Sequence, residues 1–325
     1  MQIAILGFGL LGGSLARALR RPSALATLGQ RPVIVAWSPT GDGPRRAAED
    51  GSIDRAAATV RDAVAGADLI VLAAPPLACL GLIDELAELI GHGSSDPRAT
   101  STGAGDAGDT APIVTDVAST KAQIVAAADA RGLRFVGGHP LAGRETTGYA
   151  AATADLFDGR PWVIVPGRHA EPRDAALVER VAVAAGARPV RLGAVAHDDA
   201  VAAISHLPLV LSAALAEAMI VDEAGHVRGD WPTAAALAAT GWQSMTRLAR
   251  GDIEMGAGIA AMNAAAIASR LRDLRRVLDS WLAELENAAA AAAGGRTGIA
   301  SSSDSVADPF REHLGRARDR LTDES

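Results

Sequence analysis

Cysteine occurs once in the 325 residues, at Cys79, so no disulfide can form within the chain. A lone thiol fits a reducing compartment, and its plainest role is that of a small buried apolar side chain. Aromatic residues make up only 3%. With alanine abundant, that scarcity suits closely packed helices better than a sandwich of large side chains. Positive charge is also in deficit: 31 Lys and Arg face 38 Asp and Glu, a formal net charge of −7. No nucleic-acid partner is expected of such a chain. Long apolar runs are missing too. The run 207–216 is about half the length needed to span a bilayer, and Pro208 and Ser212 interrupt it. Residues 1–19 imitate a signal peptide, but no basic stretch precedes the apolar part and glycines punctuate it. These features predict a soluble, cytoplasmic protein with no membrane partner, and the apolar share of 49% excludes a disordered chain.

The length suits two domains. Short apolar runs at 2–6, 33–37, 69–73, 113–115, 134–136, 162–165 and 188–191 read as strands. Helical patterns at 15–20, 44–50, 77–90, 121–131 and 173–185 lie between them. That alternation predicts parallel strands joined by crossovers and covered on both faces. From Asp198 to about Ala293 the pattern is helical throughout. The expected layout is an α/β Rossmann-type domain at 1–193, an all-α domain at 194–290 and a flexible tail at 291–325 with one short helix near 310–321. Residues 91–111, rich in Gly, Ser, Thr and Asp, read as a surface loop.

Gly7-Phe8-Gly9-Leu10-Leu11-Gly12 follows the first predicted strand and opens a predicted helix. The first glycine permits the tight turn, the second admits a pyrophosphate to the backbone, and the third lets helix and strand pack closely. Gly7, Gly9, Leu10, Leu11 and Gly12 are therefore candidate dinucleotide-binding residues, with helix N–H groups facing the phosphates. The second strand ends Val35-Ala36-Trp37-Ser38 without the acid that usually accepts from an NAD ribose, and Arg45 and Arg46 follow. Ser38 and Arg45 would suit a 2′-phosphate, so NADP is favoured over NAD, unless the arginines are merely solvated charges.

Three further stretches carry chemistry. Ser119, in Thr115-Asp116-Val117-Ala118-Ser119-Thr120-Lys121, falls at the carboxyl edge of the sheet, either as a site residue or as a helix cap. His139 stands between glycines and a proline directly after a strand, and its ordinary pKa suits proton transfer. Glu145 follows shortly, either polarising a neighbour or charging a helix start. His206 precedes Pro208 at a bend, in a substrate role or inside a helix interface. His197 and the acids after it read as a helix start. A metal site from His197, Asp198 and His206 lacks tight ligand spacing and is not expected.

These motifs, in this order, together with Ala239-Thr240-Gly241-Trp242-Gln243-Ser244-Met245-Thr246-Arg247-Leu248-Ala249, resemble the prephenate and arogenate dehydrogenases over about residues 1–285. The resemblance implies an enzyme of tyrosine biosynthesis that oxidatively decarboxylates a cyclohexadienol dicarboxylate with NAD or NADP. It implies that His139 accepts the proton of the ring hydroxyl, that Ser119 orients the hydroxyl, and that Arg247 binds a substrate carboxylate. It places Glu145 and His206 at the substrate site and implies a homodimer through the helical domain. Arg144, where Ser or Thr is frequent in the family, either contacts a carboxylate or faces solvent.

Prephenate is the expected substrate and arogenate the nearest rival. Ala118, Gln243, Ser244, Gly251 and Gly256 depart from common family residues and bear on that preference. Another β-hydroxyacid-type dehydrogenase would need a catalytic lysine in the helical domain, and residues 198–293 contain none. A redox-inactive dinucleotide-binding sensor is the alternative of another class, against which His139, Ser119 and Arg247 stand together. Fewer than forty residues follow the alanine run at 288–293, too few for the regulatory ACT domain of many relatives, so tyrosine feedback through one is not expected.

Overall fold

The computed structural model describes residues 1–93, 111–144, 146–293 and 302–323. Its eight strands are β1 (Gln2–Leu6), β2 (Val33–Trp37), β3 (Arg55–Ala56), β4 (Leu69–Leu72), β5 (Ile113–Asp116), β6 (Phe135–Pro140), β7 (Pro161–Pro166) and β8 (Arg188–Arg191). They form one sheet in the order β3-β2-β1-β4-β5-β6-β7-β8. Seven helices accompany them: α1 (Leu10–Ala18), α2 (Pro22–Leu28), α3 (Asp42–Glu49), α4 (Val60–Val64), α5 (Pro76–Gly93), α6 (Ala122–Ala130) and α7 (Pro172–Ala184).

The side-chain alternation of a strand divides the core in two. Ile3 and Ile5 of β1 pack with Leu15 of α1 and with Val178 and Val181 of α7. Ala4 and Leu6 point the other way, to Val60 of α4, Ile83 and Leu86 of α5, and Ile124 of α6. Both faces are therefore covered, and each fully buried Ile or Leu contributes about 1.5–3 kcal/mol. Cys79 lies in the second core, where burial pushes its thiol up to about 12. It packs as an apolar residue.

Two features depart from the sequence reading. β6 and β7 pair antiparallel, His139 opposite Val163, within an otherwise parallel sheet. Among the described residues, the connection between them holds only the 3-10 turn Tyr149–Ala151 and no crossover helix. β3, α2 and α4 are too short to show a period. The loop expected at 91–111 lies mostly outside the described residues, and its first three belong to α5.

The chain forms two compact units, Met1–Ile267 and Ala268–Ser325. The first also contains α8 (Ala194–Val201), a π-helical segment (Ala202–His206), α9 (Leu207–Ile220), α10 (Trp231–Ala236), α11 (Thr240–Met245), a 3-10 turn (Leu248–Arg250) and α12 (Ile253–Met262). The helical run Ala194–Ile220 is long and apolar enough to cross a membrane by length and composition, where the sequence showed only its second half. Buried His197, Asp198 and His206 nevertheless lie along it. The chain continues through α13 (Ala264–Ala293) and α14 (Ser302–Asp323). In the second unit, Trp281 of α13 stacks on His313 and Phe310 of α14, with ring centroids 4.7 and 5.9 Å apart. The stretch read as a flexible tail thus holds a 22-residue helix, starting eight residues before the expected one.

Candidate active site

β1, β4, β5 and β6 are adjacent and parallel, so their carboxyl ends lie along one edge of the sheet. Ligands of open α/β sheets bind at that edge. The glycine turn follows β1 there. Gly7 has φ +89, and a Cβ on it would lie 2.5 Å from the Ala73 carbonyl oxygen. A Cβ on Gly12 would lie 2.6 Å from the Gly7 carbonyl oxygen, whereas one on Gly9 meets nothing within 4 Å. The turn is closed where strand and helix pack and open on the side a pyrophosphate would approach, beside the half-buried Leu10 and Leu11 that begin α1. These residues fit a dinucleotide. At the end of β2 the Ser38 hydroxyl accepts from the Gly41 N–H at 3.2 Å, and exposed Arg45 is paired with Asp42.

β5 ends in Asp116, whose carboxylate accepts from the backbone N–H of Gly138 at 2.9 Å and of Ala118 at 3.1 Å. The ammonium of Lys121, the only lysine in the sequence, completes a fully buried ion pair with it. Gly138 makes this possible: a Cβ there would stand 2.5 Å from the Asp116 carbonyl oxygen and 2.9 Å from Trp162 Nε1. The loop between β5 and α6 carries Ser119, whose hydroxyl is buried with no hydrogen-bond partner.

His139 sits inside β6 rather than after a strand, because the pairing with β7 extends the strand to Pro140. Its Nδ1 is 2.8 Å from His197 Nε2, the rings edge to face. His197 Nδ1 lies 2.7 Å from Asp198 Oδ1. The Asp198 carboxylate also accepts from the N–H groups of Lys121 and Ala122, each at 2.8 Å, and so caps α6. His197 and Asp198 are therefore buried about one turn into α8, which starts at Ala194 after the N-cap Gly193. Burial pushes the His139 imidazole well below its ordinary pKa, and positive charge at His197, Lys121 or His206 opposes its protonation further. The site therefore holds His139 below the ordinary pKa expected of it from the sequence.

His206 closes the π-helical segment, 1% exposed, with Nδ1 3.0 Å from Asn263 Nδ2. Asn263 also donates to the Asp198 carbonyl oxygen at 2.8 Å. Burial lowers His206 to about 4, despite the pull of Asp198. His139 and His206 are thus linked to Asp198, through His197 and Asn263 respectively, and the Ser119 backbone meets His206. Arg144 and Arg247 are exposed, one on the loop after β6 and the other beside the 3-10 turn, and the hydrogen bonds just described form without them. Glu145 lies outside the described residues. Sequence reasoning missed Asn263 and the buried roles of Lys121, His197 and Asp198; the adjacent His-Asp pair was the one local signal.

The topology and the glycine turn define a Rossmann-type dinucleotide-binding domain, and its relatives make it that of an NAD(P)-dependent dehydrogenase. A sequence profile for the prephenate dehydrogenase nucleotide-binding domain matches residues 108–191, and one for the prephenate dehydrogenase dimerization domain matches 194–292. A profile for coenzyme F420-dependent NADP oxidoreductase matches 2–93. The probable prephenate dehydrogenase NovF of Streptomyces niveus is 30% identical over 312 residues, 94% of this chain and 71% of that one. The prephenate dehydrogenase of Bacillus subtilis strain 168 is 27% identical over 87% of this chain and 68% of its own. The crystal structure of Synechocystis arogenate dehydrogenase superposes with a TM-score of 0.69 at 28% identity, covering 99% of this chain and 100% of that one. The chain belongs to the prephenate and arogenate dehydrogenase family.

Proposed function

We propose that the chain converts prephenate to 4-hydroxyphenylpyruvate and carbon dioxide in tyrosine biosynthesis. The observation that carries this reading is His139, 2.8 Å from His197 Nε2, at the sheet edge that also bears the glycine turn. His139 takes the proton of the ring hydroxyl, the Ser119 hydroxyl orients that group, and Arg247 holds a substrate carboxylate through its fork of donors. Glu145, His206 and Arg144 are assigned to the rest of the substrate site. A bound dinucleotide supplies the hydride acceptor. The substrate gains aromaticity as it loses hydride and carbon dioxide, so these residues need only orient it and remove one proton.

For the cofactor we favour NADP, because β2 is followed by Ser38 and no acid, with Arg45 and Arg46 exposed on α3. The Asp42 carboxylate on Arg45 competes with that role. We further propose a homodimer through the helices of 194–290. Ile204, Leu237, Met245 and Ile253 are exposed there, on the segment that matches a dimerization-domain profile.

Arogenate is the second reading, favoured by the Synechocystis likeness. A sensor without turnover is disfavoured by relatives named as dehydrogenases. Reduced-nicotinamide absorbance, with prephenate and arogenate each crossed with NAD⁺ and NADP⁺, tests the proposal. Turnover highest with prephenate supports it, and no turnover with either substrate overturns it. The His139→Asn variant should lose about 10²–10⁴-fold in kcat with dinucleotide affinity unchanged.

A further inference from the structure

The two histidines gathered around Asp198 meet different partners, and those partners dictate where the ring protons sit. The Asp198 carboxylate can only accept, and three donors converge on it: the N–H groups of Lys121 and Ala122, and His197 Nδ1. Burial alone would raise this carboxyl; the bonds from His197 and from the two backbone N–H groups outweigh that and hold it below the usual range. With its Nδ1–H directed at Asp198, His197 presents Nε2 to His139 as the acceptor. His139 Nδ1, 2.8 Å away, must then be the donor, and the lone pair of His139 is left on Nε2.

The second arm runs through Asn263. The Asp198 carbonyl oxygen accepts from Asn263 Nδ2 at 2.8 Å, which fixes the amide with its NH₂ toward His206. His206 Nδ1, 3.0 Å from that NH₂, must accept. The proton of His206 is therefore on Nε2, which is buried beside Ser119 with no side-chain partner.

We propose that His197, Asp198 and Asn263 are positioning residues that hold His139 and His206 in opposite tautomers, His139 with an accepting Nε2 and His206 with a donating one. The proposal rests on the reading of His139 as the base. Its consequence is a division of labour between two neutral rings: one takes the hydroxyl proton, the other turns its N–H toward the backbone of the loop that carries Ser119. Among the described residues, the charged and titratable groups facing His139 are Lys121 with its partner Asp116 from the β5 side, His197 with Asp198 from α8, and His206 from the π-helical segment. A proton gained at His139 Nε2 makes the ring cationic while its Nδ1–H still points at His197. Among the described groups facing it, the carboxylate without a lysine or arginine partner is Asp198, one imidazole away.

Long-range ¹H–¹⁵N spectra of the ¹⁵N-histidine-labelled protein, assigned with His139→Asn and His206→Gln, read the tautomers without any turnover. Nδ1–H on His139 and Nε2–H on His206 are expected; the reverse assignment on either ring overturns the proposal. Kinetics give a second reading. With prephenate, His197→Leu should lower kcat about 10²-fold, while His197→Gln, whose carbonyl can still accept from His139 Nδ1, should recover most of it. Asn263→Asp, which offers His206 an acceptor instead of a donor, should raise the prephenate KM about tenfold with dinucleotide affinity unchanged. A His197→Leu enzyme within about threefold of the parent in kcat, with the same acid limb, overturns the His139 arm. If the parent turns over neither substrate, the functional reading fails while the spectra still decide the tautomers.

Discussion

The Lys121 ammonium sits against the Asp116 carboxylate with both side chains fully buried. Every other Lys or Arg position in the chain is arginine. The lysine stem packs against Gly137, with Cδ 3.0 Å from where a Cβ there would stand, and a planar guanidinium needs more room than an ammonium. Lys121→Met leaves a carboxylate buried without its cation and should cost about 3–5 kcal/mol. Lys121→Arg should cost about 1–3 kcal/mol through overpacking. Urea unfolding measures both, and a Lys121→Met loss below about 1 kcal/mol would show the pair to be dispensable.

The glycine turn separates folding from cofactor binding. A Cβ at position 12 collides with the Gly7 carbonyl oxygen at 2.6 Å, whereas one at position 9 meets nothing. Gly12→Ala should therefore lower Tm by several degrees. Gly9→Ala should leave Tm close to the parent and weaken dinucleotide binding at least about tenfold, because the methyl occupies the side the pyrophosphate approaches. Thermal unfolding paired with dinucleotide titration checks this. Tight binding by Gly9→Ala would remove that glycine from the cradle.

What the sequence disclosed follows from the range of each signal. β1 and β4 were legible because strands buried on both faces read as unbroken apolar runs. The two-residue β3 has no period to detect, and the antiparallel sense of β7 leaves no mark on its own residues. Gly7 to Gly12, Ser119 and His139 were found because their chemistry is tied to local motifs. Asn263 was not: its partners lie 65 and 57 positions away, and one of them is a backbone carbonyl, which carries no residue-type signature. Asp198 reads locally as an ordinary helix acid, yet it caps a helix that begins 76 positions earlier.

His206 ties stability to pH. Its folded pKa is about 4, against about 6.5 when exposed in the unfolded chain. Between those values the unfolded state binds a proton that the folded state refuses, so stability falls as pH drops from about 6.5 toward 4. The shift corresponds to about 3 kcal/mol once pH is below both values. His139, also held down by burial, adds to the loss in the same direction. Urea unfolding at pH 7 and pH 5 should show the parent losing more stability than His206→Gln. Equal losses in the two proteins would mean that His206 titrates normally in the fold.

Arg247 belongs to an exposed turn rather than to the buried network, and that placement decides how its loss should appear. A carboxylate clamp that holds substrate and transition state alike changes KM more than kcat. Arg247→Gln should raise the prephenate KM about 10²-fold, equivalent to about 3 kcal/mol for a charge-assisted bidentate contact, with kcat within a few-fold of the parent. The base is untouched, so the acid limb of the kcat profile should remain where His139 sets it, below the ordinary histidine range. Initial rates over a range of prephenate concentrations and pH separate these quantities. An unchanged KM would assign the carboxylate to another cation, with Arg144 the first to test by the same substitution.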